Sequence, residues 1–197
     1  MIKSKNCSAD CFCSCKKYGI IPTRFVLVVS VTNQTISLFQ RDLAPLRLCV
    51  KNPNLPAVTD RRYRFIRKFR CSTSRFGIGQ VESSNCTPLG LHRIVEKIGG
   101  GWPVGTVFKG RLPIGYTWQG MPDAKITTRI LWLEGLEPGF NRGGKVDSHA
   151  RYIYIHGTGD ETTIGRPASY GCIHLAADDL VPLFDKLPGG TLVWIGG

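Results

Sequence analysis

Apolar positions along this chain recur in short, strand-like runs. Residues 25–31 (FVLVVSV) form a β-branched run, Asn33 and Gln34 mark a turn, and residues 35–40 (TISLFQ) alternate apolar with polar side chains. Alternation with a period of two fills one face of a pleated strand, so the two runs predict a hairpin. Residues 46–50 suggest a third strand, and residues 63–71 alternate basic with aromatic residues like an amphipathic strand. Further short apolar strands are predicted at 92–95, 130–133, 152–155 and 191–195. Thr87-Pro88-Leu89-Gly90 and Gly99-Gly100-Gly101-Trp102-Pro103 interrupt any long helix, and residues 139–144 read as a loop. One helix is predicted: Asp178 or Asp179 caps it, Leu180, Val181, Leu183, Phe184 and Leu187 form its apolar stripe, and Pro188-Gly189-Gly190 ends it. Many short strands with Gly/Pro turns and one helix near the end predict a mainly β sandwich or barrel. Residues 1–23 read as a basic, cysteine-rich lead-in without regular structure, and 24–197 as one folded domain.

Composition narrows the classes. With 42% apolar and 20% charged residues over 197 positions, the chain has globular values and enough length for a core. No apolar run approaches transmembrane length, and no secretory signal is recognisable. The net charge of +12 attracts anionic polymers: nucleic acid, anionic cell-wall polymers or acidic membrane faces. Arg61, Arg62, Arg64, Arg67, Lys68 and Arg70 cluster around Tyr63, Phe65 and Phe69. No nucleic-acid-binding motif accompanies them, so a strand with one wet basic face and one apolar face is the preferred reading, without a specific nucleic-acid partner. Four of the eight cysteines, Cys7, Cys11, Cys13 and Cys15, crowd the beginning. Their spacing lacks the CxxC pairs of common zinc modules, and neither a metal nor a cofactor is expected. Cys49 reads as a small buried hydrophobe.

The chemistry concentrates late in the chain. His156 follows an alternating strand pattern, and Cys172 stands sixteen positions later, directly after Gly171 and three places after Ser169. A thiol and an imidazole joined by a glycine-punctuated loop are the minimum equipment for attack on a carbonyl. In isolation, either residue reads more simply as part of a packed core. A papain-like arrangement is set aside, because there cysteine precedes histidine. A zinc site from His156, His174 and Cys172 lacks any supporting ligand motif. His92 and His149 have no comparable company and read as structural or solvated.

SSNCTPLGLHRI, YIYIHGT, IGRPASYGCIHL and the final TLVWI follow one another in an order that resembles the L,D-transpeptidase (YkuD-type) catalytic domain, over roughly residues 24–197. The resemblance implies a YkuD-like β-sandwich or barrel, a cell-envelope or periplasmic setting, a part in cell-wall organisation and cell shape, and peptidoglycan stem peptides as donor and acceptor. It also implies sensitivity to carbapenem-type inhibitors. Cys172 is then the nucleophile and His156 its base, with the Gly157 carbonyl orienting the imidazole. The amides of Tyr170, Gly171 and Cys172 offer an oxyanion hole, and Ser169 holds the loop. Thr158, His174, Tyr152 and Arg166 are candidate substrate contacts, although Tyr152 and Arg166 fit equally well as surface residues. Thr87, Pro88 and Gly90 match a TPxG element near the family's substrate groove, and a plain turn explains them equally well. Tyr170 replaces a frequent second histidine, and His174 replaces a common arginine or asparagine. The sequence leaves open an L,D-carboxypeptidase, in which water resolves the same thioester, and a catalytically silent wall-binding module.

Overall fold

The computed structural model describes residues 7–42 and 63–197. Among them, helix α1 (Cys7–Lys17) precedes strands β1 (Phe25–Ser30), β2 (Thr35–Arg41), β3 (Tyr63–Arg70), β4 (Gly90–Ile98), β5 (Thr106–Lys109), β6 (Leu112–Tyr116), β7 (Thr127–Gly135), β8 (Tyr154–Gly157) and β9 (Ile173–Leu175); helix α2 (Ala177–Lys186) and strand β10 (Leu192–Gly196) follow. All ten strands join one mixed sheet in the order β3-β2-β1-β10-β4-β7-β5-β6, with β8 beside β7 and β9 beside β8. The pairs β1–β10 and β8–β9 are parallel and the rest antiparallel. The fold is mainly β, as the pattern predicts.

Strand β1 shows why its run is continuously apolar. Phe25, Leu27 and Val29 enter one core with Ile36, Leu38, Leu131, Ile155 and Leu183. Val26 and Val28 enter a second core with Leu91, Leu136 and Leu192. A strand buried on both faces needs cover on both. Cys11 and Cys15, one helical turn apart, are buried in that second core. This corrects the reading of residues 1–23 as unstructured, because residues 7–17 form the helix that covers it.

Strand β3 carries the basic alternation with a break. Its register against β2 shifts between Leu38 and Phe39, which pair with Arg67 and Phe65. The extra residue turns Phe65 and Phe69 to different surroundings. Phe69 is buried in the first core, while Phe65 stays exposed and meets Phe39 edge-on. A single apolar face along this strand is therefore not what forms. The predicted strand at 46–50, Cys49, Arg61 and Arg62 lie outside the described residues.

Helix α2 begins at Ala177 without a side-chain cap from its own N-cap residue. Glu161 instead reaches the first-turn amide of Ala177 at 2.7 Å, so neither Asp178 nor Asp179 is the cap. Their charges lie in the first turn, where the helix dipole favours them.

Candidate active site

Strand β8 sits between β7 and β9, with His156 opposite Ile130 on one side and His174 on the other. The chain leaves β8 at Gly157 and returns as β9 at Ile173, which pairs with Ile155. The sixteen-residue interval is therefore the connection between two parallel neighbours, and it brings Cys172 back beside the strand that carries His156. Both side chains line one cleft of about 270 Å³, together with Thr158, Tyr170 and His174.

His156 is buried, and its Nδ1 lies 2.8 Å from the carbonyl oxygen of Gly157. A carbonyl can only accept, so Nδ1 carries the proton and Nε2 keeps a lone pair. Burial, with the nearby His174 ring, pushes His156 down to about 3. The two imidazole centroids are 4.7 Å apart, and burial lowers His174 to about 4. The Nδ1 atom of His174 is buried without a hydrogen-bond partner. The thiol of Cys172 donates to the Tyr152 carbonyl at 3.4 Å. Burial raises this thiol to about 11, against a downward pull from the Tyr154 backbone and the Arg151 charge. Both shifts favour an un-ionised thiol and a neutral imidazole over an ion pair.

The loop before Cys172 is fixed from several sides. Gly171 has φ 115°, and a Cβ there would lie 3.2 Å from the Cys86 carbonyl oxygen, so both its backbone and its surroundings call for glycine. Buried Ser169 donates to the Cys172 carbonyl at 2.5 Å and accepts the Gly171 amide at 3.3 Å. That amide is thus engaged within the loop, unlike the free oxyanion donor expected of it. Thr87 donates to the Gly171 carbonyl at 3.1 Å and accepts the Ser74 amide at 2.9 Å. Thr87, Pro88 and Gly90 are buried and do not line the cleft; Thr87 alone of the three bonds to the loop. Tyr152 and Arg166 are exposed and also outside the lining, although the Tyr152 carbonyl holds the thiol. Tyr152 adopts φ 57°, an uncommon conformation for a bulky residue.

The family described as the L,D-transpeptidase catalytic domain (YkuD) matches residues 25–195. The chain belongs to this family. YqjB of Bacillus subtilis (strain 168), which carries an L,D-transpeptidase name, is 37% identical over 76 residues, covering 39% of this chain and 38% of that protein. Among solved structures, Bd1075 of Bdellovibrio bacteriovorus aligns with a TM-score of 0.54 at 15% identity, over 88% of this chain and 48% of that one. An L,D-transpeptidase of Mycobacterium smegmatis aligns with a TM-score of 0.45 at 14% identity, over 88% of this chain and 59% of that one. The matched parts thus cover less than half the length of YqjB and of Bd1075.

Within this L,D-transpeptidase domain, several residues near the cleft carry no motif of their own. Asp123, Lys125 and Ile126 reach it from the approach to β7, and Asp160, Thr163 and Ala168 from the β8–β9 connection. Arg151 is half-buried and donates to the carbonyls of Gly79, Gln80 and Cys86 at 3.2, 2.7 and 2.7 Å. His92 is fully buried: Nδ1 donates to the Gly90 carbonyl at 3.0 Å, which leaves Nε2 to accept from Ser148 at 2.9 Å. His149 stacks on Trp132 with centroids 4.0 Å apart. Among the described residues, no group of three or more His, Cys, Asp or Glu side chains is arranged to hold a metal ion.

Proposed function

We propose that this domain is a cysteine acyltransferase acting on peptidoglycan stem peptides. The observation that carries the reading is the shared cleft of Cys172 and a His156 whose Nε2 lone pair is fixed by the Gly157 carbonyl. On donor binding, the thiol turns from the Tyr152 carbonyl and gives its proton to Nε2 of His156 as sulfur attacks the carbonyl carbon before the terminal D-alanine. The Tyr170 and Cys172 amides receive the developing oxyanion, because Ser169 already holds the Gly171 amide. Collapse breaks the C–N bond, His156 returns the proton to the leaving amine, and a thioester remains on Cys172. An amine of a second stem peptide then attacks the thioester, regenerating the thiol and forming an L,D cross-link or an anchoring link.

His174 supports this chemistry in two ways. A bare buried lone pair is more readily tolerated than a bare buried N–H, so its proton belongs on Nε2, where it serves as an uncharged donor to the bound peptide. Its neutrality also spares His156, as imidazolium, a like-charged neighbour. Thr158 lines the same wall as a further peptide contact. Carbapenems enter as strained acyl donors to the same thiol. Family membership supports a cell-envelope setting, and the +12 charge favours anionic wall polymers.

Incubation with a tetrapeptide donor, with and without an acceptor amine, tests the assignment. Cross-linked product only in the presence of acceptor supports transpeptidation. Trimmed tripeptide in both tubes assigns an L,D-carboxypeptidase. No product in either tube, with Cys172→Ala indistinguishable from the native chain, leaves only a wall-binding role.

A further inference from the structure

Tyr170 stands two residues before Cys172 and lines the same cleft. Two cations lie over its ring: the Arg75 guanidinium carbon at 4.3 Å and the Lys125 ammonium at 5.0 Å from the centroid. Arg75 also donates to the phenol oxygen, and its own amide is held by the Ser169 carbonyl at 3.1 Å. The guanidinium is thereby tied to the nucleophile loop. Lys125 lines the cleft directly.

Neither cation takes part in the ion pairs among the described residues. Two like charges gathered on one ring repel each other, and an anion bound near them relieves that repulsion. Of the acids lining the cleft, Asp160 is engaged by the amide and hydroxyl of Thr162 at 3.1 and 2.5 Å. Asp123 shares the cleft and is two positions from Lys125, so it limits how many negative groups the site can accept. Lys125 and Tyr170 line the cleft with Cys172, while Arg75 stands outside that lining and reaches it through the Tyr170 ring and phenol. A guanidinium and an ammonium held on one cleft-lining ring suit a single carboxylate.

We infer that Arg75 and Lys125, set on Tyr170, form a carboxylate subsite that reads the free terminal carboxylate of the acyl donor. The inference rests on Cys172 as the nucleophile and deepens that reading. The cleft, at about 270 Å³, holds Lys125, Tyr170 and the thiol of Cys172 on one surface. The carboxylate leaves with the amine once the C–N bond breaks, so the subsite selects a terminal residue for release. A side-chain carboxylate within the stem peptide carries the same chemistry and is the competing source.

Three donors separate these sources: a tetrapeptide with a free terminal acid, its terminal amide, and a version whose internal side-chain acid alone is amidated. The rate of Cys172 acylation is read by intact mass. Terminal amidation is expected to slow acylation at least about tenfold, the scale of one lost charge-assisted hydrogen bond. Internal amidation is expected to change it little. In the Arg75→Gln/Lys125→Gln double variant the acid-to-amide ratio falls toward one. Lys125→Gln alone, at an exposed side chain, lowers that ratio severalfold and serves if the double variant does not fold. Equal rates for acid and terminal amide, a ratio unchanged in the variants, or a loss confined to the internally amidated donor overturns the inference. Failure of every donor to acylate Cys172 rejects the acyltransferase reading itself, whereas equal acylation by acid and amide rejects only the subsite.

Discussion

Thr87 donates its hydroxyl to the carbonyl of Gly171 across 3.1 Å, and the same oxygen accepts the Ser74 amide. One buried hydroxyl thus joins the segment before β4 to the loop that carries Cys172. Thr87→Val keeps the shape and strands a buried amide and a carbonyl. It is expected to cost roughly 1–3 kcal/mol of stability, measured by chemical denaturation, and to slow Cys172 acylation. Thr87→Ser should retain most of both. An unchanged denaturation midpoint for the valine variant would show that the loop does not depend on this bond.

The protonation state of the site makes a second prediction. With His156 pushed down to about 3 and Cys172 up to about 11, the resting thiol is un-ionised across the neutral range. Alkylation of Cys172 by iodoacetamide should therefore rise about tenfold per pH unit between pH 7 and pH 9, following the thiolate fraction. A rate already level from pH 5 to pH 8 would reveal a preformed thiolate–imidazolium pair.

Arg151 supplies a third. Its guanidinium binds three backbone carbonyls of the 79–86 segment, and its charge favours the Cys172 thiolate. Removing the charge in Arg151→Gln should slow alkylation of Cys172 at pH 8, because the thiolate loses a favourable neighbour. Arg151→Lys should recover most of that loss if charge matters more than the carbonyl contacts. Equal losses in both variants would assign Arg151 to loop support alone.

Acid should destabilise the fold before the carboxylates titrate. His92, His156 and His174 lie at about 4, 3 and 4 in the folded chain, below the ordinary 6.5. The unfolded chain takes up their protons as pH falls below 6.5, while the folded chain does not. Stability is therefore complete above that value and declines as pH drops toward 4. Each fully buried histidine contributes on the order of 1 kcal/mol per pH unit over that window. Thermal melts from pH 7 to pH 4.5 check the slope, and a flat Tm over this range contradicts the burial of neutral imidazoles.

The sequence showed much of this architecture where periodicity was undiluted. Strands β1 and β2 and the stripe of helix α2 follow directly from apolar spacing. Strand β6 left no such trace, because Leu112, Pro113 and Ile114 are all exposed at the sheet's edge and no burial contrast exists to read. Helix α1 was hidden because its buried positions, Cys11 and Cys15, are cysteines among polar neighbours, and the usual leucine-like stripe is missing. The Cys172–His156 pairing was legible because the family motif fixes residue order within one connection. Lys125, Asp123 and Arg75 were not, since they meet Tyr170 or the cleft only through tertiary folding. Thr87 was visible as a motif, but only its hydrogen bond to Gly171 reveals that it supports the loop from behind.

The most direct test of the whole account is the intact mass of the chain after exposure to a defined tetrapeptide donor. The account predicts a covalent increment equal to the donor minus its terminal alanine, mapped to the peptide containing Cys172 and absent in Cys172→Ala. An unmodified mass, or an increment that persists in Cys172→Ala, would contradict it.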